Sequence, residues 1–581
     1  MKLRLCFYSI LLCALNTLYG QINFVDQAEL IGLSQATGTS NFGGHGISYA
    51  DFDDNGLDDI TLASGNGVPV RFYKNIEGFV FAEVDLLATL NYDYRTRSVV
   101  WVDFDNDGDK DLFLTSDTDG NRLFQNQNGV LTDITVAAGF PLENLFTYGA
   151  SWGDIDNDGC LDVYLSNRIG GTNITNYLFK NNCDGTFSEV TTSVGLSNTP
   201  YITFCSAFFD FNNDGWQDLY VANDKFEQNY LYKNNGDGTY TDVSVSSGTN
   251  IVMDAMSVTI DDFNSDGFFD IYITNTPQEI STPLPGSVLL RNNGDETFSN
   301  ISLSSGTVVD SYCWGANFID ADNDTDLDLY VNSQYTGDNG FASYAFFTNS
   351  GDETFAQPSN VGFDTNTYRS YSSAVGDYNN DGLMEIVVNN EDNQKPSLWE
   401  NIANNTNNYL AVELEGVIGN RDGTGSVIEI AINGAKQYRY TLCGEGYLSQ
   451  NSTKKIFGLG TNTTVDYVKV TWLSGIVDII YNVTANQTLN IVEGSATLSI
   501  GENIISRINY YPNPVKNSLT LRAGNDTIKD VKIFNLLGQE VLQTRPNALI
   551  SEIDMSHLQT GVYIVKINSA AITETVRVIK Q

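Results

Sequence analysis

A nine-residue acidic stretch recurs seven times in this chain, and it constrains the fold more than any other feature. One copy reads Asp103-Phe-Asp105-Asn-Asp107-Gly-Asp109-Lys-Asp111. Side-chain oxygens stand at positions 1, 3, 5 and 9, and glycine at position 6. A tight loop needs a residue there that tolerates unusual dihedrals. Oxygen-only ligands on a short, sharply turned loop suit Ca²⁺ better than zinc or copper. Two like charges about 4 Å apart repel by about 1 kcal/mol in water and about 4 kcal/mol near a protein surface. A loop that turns four carboxylates inward therefore needs a cation to close.

The first copy places Asp51, Asp53, Asn55 and Asp59 at the four positions, and the second Asp103, Asp105, Asp107 and Asp111. The third has Asp154, Asp156, Asp158 and Asp162, and the fourth Asp210, Asn212, Asp214 and Asp218. The fifth has Asp262, Asn264, Asp266 and Asp270, and the sixth Asp320, Asp322, Asp324 and Asp328. The last has Asp377, Asn379, Asp381 and Glu385. Position 7 can add a backbone carbonyl, from Leu57, Asp109, Cys160, Trp216, Phe268, Asp326 and Leu383 in turn. Six copies keep the glycine, while the sixth has Thr325. Asp-Gly and Asn-Gly are also ordinary hairpin residues. Turn chemistry alone accounts for one copy, but not for seven in one register that all keep an oxygen at every ligand position.

The copies are spaced by 52, 51, 56, 52, 58 and 57 residues. Apolar segments flank each loop, as in Val99-Val-Trp-Val102 and Leu112-Phe-Leu-Thr115. A second phrase follows, clearest in Asn176-Tyr-Leu-Phe-Lys-Asn-Asn-Cys-Asp-Gly-Thr-Phe187 and Asn229-Tyr-Leu-Tyr-Lys-Asn-Asn-Gly-Asp-Gly-Thr-Tyr240. That makes four short strands per repeat, with the acidic loop joining the first two. The expected fold class is all-β: a seven-bladed β-propeller followed by two small β domains. Seven blades must close or leave an edge unpaired. The fourth-strand phrase Thr186-Phe-Ser-Glu-Val-Thr-Thr-Ser-Val-Gly-Leu196 has a counterpart at Asn23-Phe-Val-Asp-Gln-Ala-Glu-Leu-Ile-Gly-Leu33, ahead of any first strand. The last repeat lacks a clear fourth strand after Ser397-Leu-Trp-Glu-Asn401, so the N-terminal strand is expected to complete the seventh blade.

The formal net charge is -42, and 24 of the 72 acidic residues occupy ligand positions. Seven bound Ca²⁺ would leave about -28, which excludes nucleic acid and anionic membranes as partners. Lys2 and Arg4 followed by the apolar run Leu5 to Leu15 read as a secretory signal over residues 1–20. No other stretch is long and apolar enough to span a bilayer. Cys160, Cys183, Cys205, Cys313 and Cys443 remain beyond the signal. Cys160 and Cys183 lie in two turns of one repeat and are expected to form a disulfide.

Residues 22 to about 402 resemble the FG-GAP and VCBS repeats of integrin α-chain propellers and of many secreted bacterial proteins. The resemblance implies a propeller over 21–405 with calcium loops on one face, binding proteins or glycans, or in a minority of members cleaving polysaccharides as lyases. Strands such as Tyr409-Leu-Ala-Val-Glu-Leu414 and Val465-Asp-Tyr-Val-Lys-Val-Thr-Trp472, with Phe457-Gly-Leu-Gly460, resemble the ASPIC/UnbV domain of the cartilage acidic proteins, over 406–495. Tyr511-Pro-Asn-Pro-Val515, Lys532-Ile-Phe-Asn-Leu-Leu-Gly-Gln-Glu-Val541 and Leu558-Gln-Thr-Gly-Val-Tyr-Ile-Val-Lys566 resemble the C-terminal sorting domain of the type IX secretion system, over 500–581. That implies recognition by the type IX machinery, export across the outer membrane, and a secreted or cell-surface protein.

The chain has two histidines, His45 and His557, and no evident catalytic triad or dyad. No catalytic residue is assigned. The expected function is calcium-dependent adhesion or binding to an extracellular protein or glycan. A polysaccharide lyase is the alternative, with Arg and Tyr residues such as Tyr94-Arg-Thr-Arg97 on the face opposite the calcium loops. Arg421, Asp422 and Glu445 are read as loop polar groups that set turns and touch the propeller, rather than as a site.

Overall fold

The structure, a computed structural model, describes residues 22–496 and 508–580, apart from 41, 77, 88–93, 169–173, 226, 277–285, 335–342, 365, 512–514, 524–526, 536–538 and 570–572. The expected signal at 1–20 lies outside the described residues. The fold is all-β, with two single-turn helices at Ser244–Ser247 and Ser302–Ser305.

Seven antiparallel four-stranded sheets follow one another, as propeller blades do. The first uses Ile47–Ala50, Asp59–Leu62, Arg71–Ile76 and Val80–Val84 in sequence order. In each sheet the acidic loop joins the first strand to the second. These two strands are buried throughout, as in Thr203–Phe209 and Asp218–Asn223, save for the half-buried Asp261 that ends the first strand of the fifth sheet. They are covered on both faces, so their sequences lose the apolar–polar alternation. The fourth strand is half-wet: in Phe187–Glu189 only Phe187 is buried.

Neighbouring sheets share one core. Val100 and Phe113 of the second pack with Trp152 and Val163 of the third. Ala374 and Val387 of the last pack with Ile47 and Ile60 of the first. The N-terminal strand Phe24–Asp26 pairs antiparallel with Ser397–Asn401, with Phe24 opposite Asn401 and Asp26 opposite Trp399. The last sheet thus takes its fourth strand from the start of the chain, as the repeated phrase indicates.

Residues 408–492 build two further sheets around Leu410, Ile428, Ile430, Phe457, Val468 and Trp472. They lie in the same compact unit as the seven repeats. One segment leaves this module and enters the repeats. Ser449–Gln450 adds parallel to Ile47–Ala50 of the first sheet. Gln450 Oε1 accepts from Trp101 N of the second sheet at 2.8 Å. Trp152 N of the third donates to Cys443 O at 2.8 Å, and Gly446 N donates to Val258 O of the fifth at 3.0 Å. Asn317 of the sixth donates to Asn451 Oδ1 at 3.0 Å, and Ser452 N donates to Val375 O of the seventh at 3.0 Å. Tyr447 packs against Phe204 of the fourth, with ring centres 5.7 Å apart. Ten residues therefore touch the innermost strand of all seven sheets.

The second unit, residues 499–581, is described by itself. A three-stranded and a four-stranded sheet enclose Leu519, Leu521, Val531, Ile533, Val565 and Ile567.

Candidate metal centre

Each acidic loop is held by one set of backbone bonds. Asp103 at position 1 accepts from the N–H groups of Asp107 and Gly108 at 3.1 and 2.9 Å. Asp107 accepts from Asp109 N at 2.9 Å. Asp111 at position 9 accepts from Phe104 N at 3.3 Å and from Asn126 N, on the third strand, at 2.7 Å. The pattern repeats in the other six loops. Asp51, Asp154, Asp210, Asp262, Asp320 and Asp377 accept from positions 5 and 6 at 2.7–3.1 Å. Asn55, Asp158, Asp214, Asp266, Asp324 and Asp381 accept from position 7 at 2.8–3.1 Å. Asp59, Asp162, Asp218, Asp270, Asp328 and Glu385 accept from position 2 at 2.9–3.3 Å.

The turn needs two left-handed residues, of which sequence reading identified one. Glycine serves position 6. Position 4 is also left-handed, with φ of 55–59° at Asp54, Asn106, Asn157, Asn213, Ser265, Asn323 and Asn380. Short polar side chains tolerate that region, so the run of Asn and Asp there was the available signal. Thr325 takes φ of 98° in the sixth loop and still donates to Asp320 at 3.1 Å. A β-branched residue held there costs about 1–3 kcal/mol.

These backbone bonds leave oxygens to spare. Asp53 Oδ1, Asp105 Oδ1, Asp156 Oδ1 and Glu385 Oε1 are buried without a hydrogen-bond partner. In four loops three carboxylates converge, with one oxygen from each lying within 4.8 Å of the others: Asp51, Asp53 and Asp59; Asp103, Asp105 and Asp111; Asp154, Asp156 and Asp162; Asp320, Asp322 and Asp324. Orphaned oxygens in an all-oxygen donor set fit a hard divalent cation. In the fourth, fifth and seventh loops position 3 is Asn212, Asn264 or Asn379, whose amide donates to the position-5 carboxylate at 2.9–3.0 Å. Such an amide must turn its oxygen inward to serve as a ligand.

Electrostatics state the same demand. Burial, and then the neighbouring carboxylates, push Asp59 up to about 8 and Asp111 up to about 9. Burial likewise lifts Asp103, Asp154 and Asp262 to about 7, with Asp422 adding to the rise at Asp103. Asp162, Asp218, Asp270, Asp328 and Glu385 are also raised well above the carboxylate range, chiefly by burial. Without a cation these groups favour a proton. Lys74 leans on Asp53, Lys180 on Asp156, and Lys233 lies 3.9 Å from Asp214, so three loops carry a partial internal counter-charge.

The loops are linked to one another, which sequence reading did not foresee. Asn106, Asn157, Asn213 and Asn323 at position 4 donate to Gly159 O, Gly215 O, Gly267 O and Gly382 O of the following loop at 2.8–3.0 Å. The third-strand asparagines reach back to the preceding loop. Asn181 donates to Phe104 O at 2.9 Å and Asn234 to Ile155 O at 2.8 Å. Asn75 of the first sheet donates to Tyr378 O of the seventh at 2.8 Å. The repeated Lys-Asn-Asn phrase carried this signal.

Cys160 and Cys183 form a disulfide, so position 7 of the third loop has only its backbone to offer a metal. Cys205, Cys313 and Cys443 are buried thiols. The 408–492 module rests on the loop face. Asp422 accepts from Asp103 N at 3.1 Å and pairs with Lys110, and Arg421 N donates to Asn106 Oδ1 at 2.8 Å. Gly460 N donates to Asn323 O at 2.8 Å. A Cβ on Gly458 would lie 2.0 Å from Asp320 Oδ2. Glu445 is buried in the segment that crosses the innermost strands, and burial raises its pKa. Arg421 and Asp422 thus contact the repeats, whereas Glu445 bonds within its own segment, its Oε1 accepting from Asn451 N at 3.3 Å. His45 is buried too, with Nδ1 3.1 Å from Thr96 O, and burial followed by the Arg97 charge lowers it to about 3.

The FG-GAP-like repeat family matches residues 51–114, 103–165, 210–273 and 335–388. The chain carries FG-GAP-like repeats. The ASPIC and UnbV family matches 416–498, and the secretion system C-terminal sorting domain matches 509–581. That last domain marks the protein for export across the outer membrane, to the surface or beyond it. Cartilage acidic protein 1 of Xenopus tropicalis is 24% identical over 469 residues, covering 74% of this chain and 70% of that protein. Its Homo sapiens counterpart is 22% identical over 479 residues, with 74% and 69% covered. Among solved structures, PorZ, a surface component of the type IX secretion system of Porphyromonas gingivalis, aligns over 97% of this chain and 84% of its own. Identity is 12% and the TM-score 0.27, too low to carry an argument. Among the described residues no helix is long and apolar enough to cross a membrane.

Proposed function

We propose that the protein is a secreted or surface-held propeller of seven blades, closed into a ring and braced by up to seven Ca²⁺, that binds an extracellular protein or glycan. Closure is supported by the N-terminal strand in the last sheet and by the Asn75 bond to Tyr378 O. It is supported also by the ten-residue segment that meets every innermost strand. The observation that carries the calcium reading is the backbone bonding shared by seven loops, in four of which carboxylate oxygens converge. Asp109, Leu57 and the other position-7 residues would each add a carbonyl. The sorting domain would bring the chain to the type IX machinery.

The runner-up is a polysaccharide lyase using Arg97 and Tyr148, the guanidinium carbon 4.4 Å from the ring centre, on the face away from the loops. Against it, burial lifts Tyr148, and the nearby His45 is held neutral. Arrays of glycans and surface proteins, probed with the mature protein in Ca²⁺ and in chelator, test the first reading. Calcium-dependent capture supports it, and no capture in either condition removes it. Unsaturated product released from acidic polysaccharide would establish the lyase instead.

A further inference from the structure

Away from the metal loops, the segments that open the innermost strands meet those that close the second strands. Arg95 and Arg97 precede the strand Val99–Val102, and Asp117 follows Asp111–Leu114. Arg168 follows Asp162–Asn167, and Lys225 follows Asp218–Asn223. With Phe42 and Tyr148 they line an open depression of about 360 Å³. Four cations gather here in a chain whose net charge is -42. Among the described residues Asp117 and Asp224 pair with them, Asp117 at 2.7 Å from Arg95 and 2.8 Å from Arg97, and Asp224 at 3.1 Å from Arg168.

The four cations are not alike. Arg97 turns inward, its two terminal nitrogens donating to Phe42 O at 2.8 Å, Gly44 O at 2.6 Å and Tyr148 Oη at 3.0 Å, with only its buried Nε left without a partner. It stiffens the floor. Arg168 lies 4.6 Å from the ring centres of both Phe42 and Phe204, and its Nε has no partner. Lys225 is exposed and, among the described residues, its ammonium meets only Asp224, at 3.9 Å. Arg168 and Lys225 therefore keep donors for an anion, and Phe42, 44% exposed, offers a ring edge and face beside them.

We propose that this depression binds the carboxylate of an acidic sugar residue, with Arg168 and Lys225 on the carboxylate and Phe42 against the sugar's C–H face. The inference rests on the binding function proposed above and names its ligand class. Two observations favour a small sugar acid over an acidic protein. The depression is concave and of small-ligand size, within the range of about 300–1,000 Å³ typical of such sites. An acidic protein would also bring its charge against a strongly anionic surface, whereas a single carboxylate feels only the charges within about 8 Å at physiological salt.

The test is calorimetric titration of the mature protein, in Ca²⁺, with glucuronate and galacturonate, with glucose as the uncharged control and acetate as the charge alone. One of the uronates should bind, glucose should not, and acetate should be weaker by on the order of tenfold. Lys225→Ala should weaken uronate by on the order of tenfold at an unchanged melting temperature, and Arg168→Gln should weaken it by a similar factor in the folded protein while lowering the melting temperature, because the buried Asp224 loses its arginine partner. Phe42→Ala should weaken uronate while sparing acetate. No heat with either uronate, equal affinity for acetate, or folded variants that bind as well as the parent would each overturn the inference. An array partner whose capture survives Lys225→Ala and Arg168→Gln also overturns it, yet leaves the broader binding function standing. Uronate binding with no array partner does the reverse.

Discussion

The two faces of the repeat body treat their carboxylates in opposite ways. On the loop face carboxylate meets carboxylate, and burial with like charge pushes Asp111 to about 9 and Asp59 to about 8. On the other face Asp117 is clasped by Arg95 and Arg97 at 2.7–2.9 Å. On that face the chain supplies the carboxylate's counter-charge, while the loop face leaves buried oxygens such as Asp105 Oδ1 without a partner. A buried polar group left unpaired is costly, so the loop face should depend on solvent ions and the other should not.

The largest expected effect tests that dependence directly. Extracellular Ca²⁺ sites bind at roughly 10⁻⁴–10⁻³ M, and at about ten times the dissociation constant each adds about 1.4 kcal/mol by mass action. Seven such sites sum to on the order of 10 kcal/mol, comparable with the stability of a whole domain. Thermal melts in chelator should fall sharply, whereas Lys225→Ala on the far face should leave the melt in Ca²⁺ unchanged. Equal melting with and without chelator would erase the contrast.

Next comes the segment that joins the module to the repeats. Tyr447 is fully buried and its hydroxyl donates to Gly43 O at 2.6 Å. Tyr447→Ala should cost about 3–5 kcal/mol in urea unfolding, as for other buried aromatics. A cost below about 1 kcal/mol would mean that the segment is dispensable packing. Smaller is Gly458→Ala. Its Cβ would collide with Asp320, costing about 1–3 kcal/mol by overpacking and disturbing the sixth acidic loop. Smallest is Asp107→Ala, which should remove one site and at most about 1.4 kcal/mol at that calcium level, leaving a folded protein by circular dichroism.

The pH dependence sharpens the comparison by its sign. Asp103, Asp154 and Asp262 are raised from 3.8 to about 7, mainly by burial. The metal-free fold therefore holds protons that the unfolded chain has released. Stability from these groups is fully present below about 3.8 and is lost as pH rises towards 7. In chelator, melting temperature should climb as pH is lowered from about 8 to 5. In saturating Ca²⁺ protons compete with the ion, and the trend should reverse. The same trend in both conditions would place the stabilising charge elsewhere.

The loops were legible in the sequence because their chemistry is local. Asp103, Asp105, Asp107 and Asp111 lie within nine residues, and seven copies in one register expose the pattern. The N-terminal completion of the last sheet was legible because Asn23 to Leu33 repeats a phrase found elsewhere in the chain. The links between loops were not, since Asn106 and Gly159 are separated by a whole repeat and an asparagine in a turn already has a local explanation. The route of residues 443–452 was hidden for a related reason. Gly446-Tyr-Leu-Ser-Gln450 reads as an ordinary strand or turn, and only the arrangement of seven innermost strands gives it a place. The far-face depression gathers residues from four repeats, each unremarkable alone, although Arg95 and Arg97 marked one corner of it.

The central claim is that the seven acidic loops are cation sites. A crystal structure of the mature protein grown in calcium, with anomalous differences collected, measures this most directly. The expected result is a spherical anomalous peak among Asp103, Asp105, Asp107 and Asp111, ringed by oxygens at about 2.3–2.6 Å, with equivalent peaks in the other loops. Ordered loops with no peak between their carboxylates, at calcium well above 10⁻³ M or so, would contradict it.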